Sequence, residues 1–221
     1  MHSKEIEEKK RLLKLTDLQK EILIGTLLGD GHLETQDNGH TYRLKLDHSI
    51  KQRAYVDWLY ESFKEWTNTP PKKHSRDVRF RNVTKSYDKY GFNTVSHSAF
   101  RFYAKQFYSQ RKKKAPRLIH RWLTPLALAV WFMDDGSIKS NAHKTVFINT
   151  HSFSKDDVKR LRKALWDVYG IQTILRPQGN GNQLYFLSET VEAFLGLIEP
   201  HILTSMRYKL PKVWLTQLPK R

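Results

Sequence analysis

The sequence predicts an α+β fold in which one αββαββα unit is used twice. Three observations carry that expectation. An apolar stretch that closes on Asp-Gly occurs twice, in "LTDLQKEILIGTLLGDGHLE" from Leu15 and "LTPLALAVWFMDDGSIKS" from Leu123, which sets Asp30 and Asp135 105 positions apart. Downstream of each, a His-Ser pair (48–49 and 151–152) precedes a segment in which Tyr55, Trp58 and Phe63 fall opposite Val158, Leu161 and Trp166 at helical spacing. Both halves then end alike, in "RKKKAP" from Arg111 and "RYKLP" from Arg207. The repeat puts a junction near Ala115 to Leu123, hence one unit over 1–115 and a second over 116–221.

Taken in order, the N-terminal "MHSKEIEEKKRLLK" carries three Glu and lacks an apolar signal core, so it reads as a solvated or fraying helix on a protein that acts where it is made. The first apolar helix carries Gly25 and Gly29 four residues apart on one face, which permits close approach by another helix. "YRLKLD" then alternates Tyr42, Leu44 and Leu46 with Arg43, Lys45 and Asp47, the pattern of a half-buried strand. "RDVRFRNV" alternates Val78 and Phe80 with Arg79 and Arg81 in the same way. In the second half "KTVFINT" and "IQTILRP" read as strands, and "LYFLSE" follows a turn marked by Gly179, Asn180 and Gly181. A sheet that rests its apolar face on helices leaves a polar face bare.

Composition says what that face meets. Lys and Arg number 39 against 22 Asp and Glu in 221 residues, a formal charge of +17 that favours a polyanion, nucleic acid foremost. A membrane partner is disfavoured, because no apolar run approaches the roughly 18 residues needed to span a bilayer. The absence of cysteine excludes disulfides and thiolate zinc sites.

The Asp-Gly ends carry the chemistry. A helix presents partial negative charge at its C-terminus and disfavours carboxylates there. Gly31 and Gly136 stand where a left-handed cap belongs, which makes Asp30 and Asp135 the last residues of two helices. Paired about a pseudo-twofold axis, those ends would bring the carboxylates together, and a hard divalent cation would offset the repulsion. A single Asp-Gly is an ordinary turn; its recurrence after two apolar helices is what points to a metal. His32, His48 and His151 read as hydrogen-bonded structural or DNA-contacting residues beside strand ends, not as general bases.

"LIGTLLGDG" at Leu23 to Gly31 and "LAVWFMDDG" at Leu128 to Gly136, with "LTP" and "YKLP", resemble the LAGLIDADG homing endonucleases, in the group that carries both motifs on one chain. The resemblance covers nearly the whole chain. It implies motif helices at a central interface and two saddle-shaped antiparallel sheets on double-stranded DNA. It also implies a site-specific double-strand break in a long target with short 3′ overhangs, Mg²⁺ as cofactor with Mn²⁺ able to substitute, a monomer, and an organellar or microbial intron as host. By it Asp30 and Asp135 are metal-binding catalytic acids, and the carbonyls of Gly29 and Asp134 are further ligands. Lys113 and Lys209 match basic residues beside each scissile phosphate, although Lys112 and Lys114 flank Lys113. The DNA contacts it suggests are Arg43, Lys45, Arg79 and Arg81 in the first half, and Lys144, Asn149, Arg176, Gln178, Asn180, Asn182 and Tyr185 in the second. The chain departs from the motif at Val130, which replaces its first Gly, so that Gly25 and Gly29 must make the room. Leu28 and Met133 replace the motif's first Asp, and Asp134 is extra charge with solvent as its ordinary place. An RNA maturase acting on intron RNA and a non-catalytic DNA-binding protein are the competing readings.

Overall fold

The computed structural model describes residues 8, 10–80, 83–179 and 181–217. The chain divides into two compact units: residues up to Lys20 with Asp30–Ala104, and Glu21–Gly29 with residues from Lys105 onward. Helix α1 (Asp17–Leu28) therefore passes from the first unit into the second. It starts on a reciprocal cap in which the Gln19 amide donates to Thr16 Oγ1 and Gln19 Oε1 accepts from the Thr16 amide.

In the first repeat α1 leads to β1 (His32–Glu34), β2 (Arg43–Ser49), α2 (Arg53–Ser62), β3 (Lys72–Phe80), β4 (Val83–Asn93) and α3 (Arg101–Phe107), which enters the second unit at Lys105. The strands form one antiparallel sheet in the order β1-β2-β4-β3. Leu44, Leu46 and Phe92 on one sheet face, and Tyr55, Val56, Leu59 and Phe63 from α2 and its C-terminal end, are buried. Each such side chain contributes about 1.5–3 kcal/mol on burial.

A short hairpin, β5 (Tyr108–Ser109) and β6 (Lys112–Lys113), opens the second unit. There follow α4 (Pro125–Asp135), β7 (Gly136–Ile138), β8 (Val146–Asn149), α5 (Lys155–Tyr169), β9 (Thr173–Gln178), β10 (Gly181–Phe186) and α6 (Ser188–Ile198). The sheet order, β7-β8-β10-β9, repeats that of the first unit. Both repeats thus have the αββαββα order the sequence predicts. Thr124 caps α4 by accepting from the Ala127 amide, with Pro125 at the first helical position. Ser154 caps α5, and left-handed Gly170 ends it.

Four expectations need correction. β3 begins at Lys72, before the alternating segment, and pairs over its whole length with an eleven-residue β4 that hydrophobic alternation did not mark. Gly136 is extended, with φ −70° and ψ 148°, and Gly31 is not among the glycines with positive φ. The chain leaves α4 straight into β7, so a reversing cap has no place; Gly136 is needed because a Cβ there would lie 2.4 Å from the Phe132 carbonyl oxygen. The His-Ser match also fails in space. His48 is buried within β2, whereas His151 is exposed in the turn after β8 and bonds the Gln178 carbonyl, because the two β-β connections differ in length. Finally, Trp166 is half exposed while its counterpart Phe63 is fully buried. Residues 1–7 and 9 of the N-terminal segment lie outside the described residues; 10–12 are helical.

The C-terminal half of α1 packs on α4 within the second unit through the two small residues the sequence singled out. A Cβ on Gly25 would meet the Ala127 carbonyl oxygen and Val130 Cβ at 2.6 Å, and one on Gly29 would meet Asp134 Oδ2 at 2.3 Å. Val130 thus occupies space that Gly25 leaves. Gly25→Val should lower stability by about 1–3 kcal/mol by overpacking this contact, read as a fall in the thermal unfolding midpoint; an unchanged midpoint would mean that the helices separate at no cost.

Candidate catalytic centre and nucleic-acid interface

Each motif helix ends on a carbonyl that a lysine holds. Lys113 Nζ donates to the Gly29 carbonyl at 2.5 Å, and Lys209 Nζ donates to the Asp134 carbonyl at 2.7 Å. Both acceptors directly precede an acid of the Asp-Gly ends, Asp30 and Asp135. An ammonium group here satisfies an otherwise orphan helix-end carbonyl and meets the negative end of the helix dipole. Geometry also selects Lys113 from its two neighbours, since neither Lys112 nor Lys114 makes this bond.

Separate local structures deliver the two lysines. Lys113 ends the β5–β6 hairpin, whose turn residues Gln110 and Arg111 have φ of 48° and 65°, the pattern of a tight type I′ turn. Just beyond it, the Ala115 amide donates to Asp157 Oδ1 and the Ala115 carbonyl accepts from Arg160, which fixes the strand exit against α5. Lys209 closes a 3-10 segment, Thr204–Lys209, pinned by buried Met206 and by an Arg207 to Glu199 ion pair of 2.7 Å.

The Asp134 side chain is buried, not solvated as expected, because the missing side chain of Gly29 opens the space it enters. Asp30 is half exposed, and Nδ1 of buried His48 lies 3.5 Å from its Oδ2, with the His48 ring edge-on to Tyr55. The half-buried Asp135 offers its carbonyl to Asn149 Nδ2 at 3.0 Å, and Asn149 Oδ1 accepts from Gln183 Nε2 at 2.7 Å. Sequence reasoning set His48 aside and did not name Gln183. The signal for His48 was its place in step with Leu44 and Leu46, where alternation calls for an inward side chain.

Strand register sorts the expected DNA contacts. Arg43 and Lys45 lie on the sheet face opposite Leu44 and Leu46, with Arg43 paired to Glu34 at 2.5 Å and Lys45 to Asp47 at 3.9 Å. Through β4, however, Arg79 falls with Lys73, Ser75 and Asp77 on the same face as Tyr90 and Phe92. Arg79 does not share a face with Lys45; alternation along one strand tells which residues oppose each other, and only pairing tells which side is inward. Arg81 lies outside the described residues. In the second sheet Asn149, Arg176, Gln178 and Tyr185 share one face, with the Arg176 guanidinium 5.8 Å from the Tyr185 ring centroid. Asn182 alternates to the opposite face, and Lys144 bonds Glu192 of α6. Asn180 lies outside the described residues.

A sequence profile of the LAGLIDADG DNA endonuclease family matches residues 20–194. This chain belongs to that family. It is 31% identical over 210 residues to the DNA endonuclease I-ChuI of Chlamydomonas applanata, covering 90% of this chain and 96% of that one. It is 30% identical over 198 residues to the cytochrome b mRNA maturase bI2 of Debaryomyces hansenii, covering 86% and 72%. Among solved structures, the homing endonuclease I-WcaI bound to its DNA recognition sequence superposes with a TM-score of 0.86 at 26% identity, over 95% of this chain and 93% of that one. The paired-repeat architecture is therefore the LAGLIDADG fold with both motifs on one chain. No helix among the described residues is long and apolar enough to cross a membrane.

The strained turn that presents Lys113 gives a stability test. Replacing Gln110-Arg111 by Asn-Gly removes a left-handed backbone cost of about 1–2 kcal/mol per residue and should raise the thermal midpoint by a few degrees. A fall would mean that the native side chains hold the hairpin by contacts of their own.

Proposed function

We propose that this LAGLIDADG protein is a site-specific homing endonuclease that hydrolyses one phosphodiester in each strand of double-stranded DNA with a divalent cation, acting as a monomer. The lysine-to-carbonyl bond one residue before each Asp-Gly acid carries the reading, because it sets a positive charge and a main-chain oxygen beside a carboxylate at both helix ends. The similarity to I-ChuI and to DNA-bound I-WcaI supports it.

The donors at each helix end fit a hard cation: a carboxylate from Asp30 or Asp135 and a main-chain carbonyl from Gly29 or Asp134, all oxygen. Mg²⁺ suits that set, with Mn²⁺ as a substitute. When bound, the ion supplies Lewis-acid charge at the scissile phosphate and makes water a competent nucleophile near neutral pH. Asp30 and Asp135 would hold it. Lys113 and Lys209 fix the direction of the two carbonyls and place positive charge where phosphoryl oxygens gain negative charge. His48 and Asn149 orient the acids, one through the Asp30 carboxylate and the other through the Asp135 main chain. Arg43, Lys45, Arg176, Gln178 and Tyr185, on the polar sheet faces, would contact the bases and phosphates of the target.

Relatedness to the bI2 maturase supports intron RNA as a second partner. An intron in an organelle or microbe is the expected host.

Asp30→Asn and Asp135→Asn should each reduce double-strand cleavage about a hundredfold or more, a loss of several kcal/mol of transition-state stabilisation, while DNA affinity in a gel-shift assay stays within a fewfold of the parent. Chelation of divalent ions should stop cleavage and leave binding. Either variant cutting both strands at the parental rate would overturn the assignment.

A further inference from the structure

The two sheets share a strand order but not a reach. β9 and β10 are six residues each, whereas β3 and β4 are nine and eleven. At a rise of about 3.3 Å per residue, β3 spans about 30 Å and β9 about 20 Å. Beyond Tyr90 the longer ribbon has left the core. Lys73, Ser75, Asp77 and Arg79 on one face are exposed, and so are His74 and Tyr87 on the other. Among the ribbon's described side chains past Tyr90 none is buried except at its inner end, and a two-stranded hairpin with nothing to pack on is marginal in water.

Polar pairs run along it. Lys73 and Asp88 form an ion pair of 2.9 Å, the Ser75 hydroxyl donates to Asp88 at 2.8 Å, and His74 Nε2 lies 3.6 Å from Asp47. These bonds hold Asp88 below the usual carboxylate range, that to Lys73 foremost. They order the ribbon, and on the face shared with Lys45 they leave the half-exposed Tyr87 ring available to a partner. The major groove of B-DNA admits a two-stranded β-ribbon.

We infer that the β3–β4 ribbon makes the recognition site lopsided: the half-site read by the first unit extends beyond that read by the second by about 10 Å, or about three base pairs at 3.4 Å each. This rests on the endonuclease reading and adds to it which half of the chain carries the longer stretch of specificity. The outermost base pairs of the longer half-site are read by Tyr87 and its neighbours on the face shared with Lys45, which lie past the part of the sheet that α2 supports.

The test uses the full chain and a randomised duplex library selected for cleavage, scoring base preference at every position on both sides of the cut. The expected profile is specified about three base pairs further on one side. A variant in which Asn-Gly replaces residues 77–86, closing the ribbon at the Arg76–Tyr87 pair, should lose preference at those outer positions by about fivefold to a hundredfold each and keep it elsewhere. Tyr87→Ala tests the same positions without shortening the fold, and Arg79→Ala, on the opposite face, should leave them unchanged. Half-sites of equal length, or outer preferences that survive both the shortened ribbon and Tyr87→Ala, would overturn the inference alone. A chain that cuts no preferred sequence would remove the endonuclease reading and this inference together.

Discussion

The close contact of α1 with α4 is the constraint on which the rest depends. Two glycines on one helix face let a valine and an aspartate of the other helix approach to where a β-carbon would stand. Dispersion contacts at this distance are individually small and collectively large, and any added methyl group would push the helices apart. The fit is complementary: where α4 has lost small residues, with Val130 in the position of a glycine, α1 retains them. That division explains how the second motif tolerates so bulky a sequence as Trp131-Phe132-Met133 and still pairs with the first.

The paired helix ends create an electrostatic problem that the remainder of the second unit answers. Each helix end presents main-chain carbonyls, and an acid directly after them, where its dipole is negative. A lysine bonded to the last or penultimate carbonyl of each helix neutralises part of that charge and orients the carbonyl. The two lysines arrive by unrelated routes, one on a strained hairpin and one on a 3-10 turn anchored by an ion pair to buried Glu199. Repetition of the end result with different supports is the pattern expected when the function of the site, not the local fold, is held in common. The supports around the acids differ as well. An imidazole stands beside Asp30, and an amide chain from Gln183 through Asn149 reaches the carbonyl of Asp135. The two ends therefore share their acid and lysine and differ in the groups that orient them.

Much of this was legible beforehand. The repeat, the element order and the close-packing glycines follow from motifs whose physical meaning is local: small residues four apart, an acid at a helix end, apolar residues at helical or alternating spacing; both lysines came from the family resemblance. Burial of the Asp134 side chain was not legible, because a carboxylate at a helix end is ordinarily solvated and the space that receives this one belongs to Gly29, more than a hundred residues away in sequence. Arg79 and Asn182 were assigned to the polar sheet faces for a related reason. Alternation has a period of two and no sign, and the sign comes from the neighbouring strand.

The division between sequence and tertiary structure follows the range of the interactions. By itself the sequence determined the fold class, the twofold repetition, the basic character that suits DNA, and the two Asp-Gly ends of the candidate centre, since each is encoded by residue type at short spacing. Only the tertiary structure decided which lysine of three meets Gly29, that His48 and Gln183 support the acids, which face of each sheet is polar, and that one sheet carries a ribbon reaching well past its core. Those choices depend on strand register and on contacts between distant segments, and neither leaves a local trace in the chain.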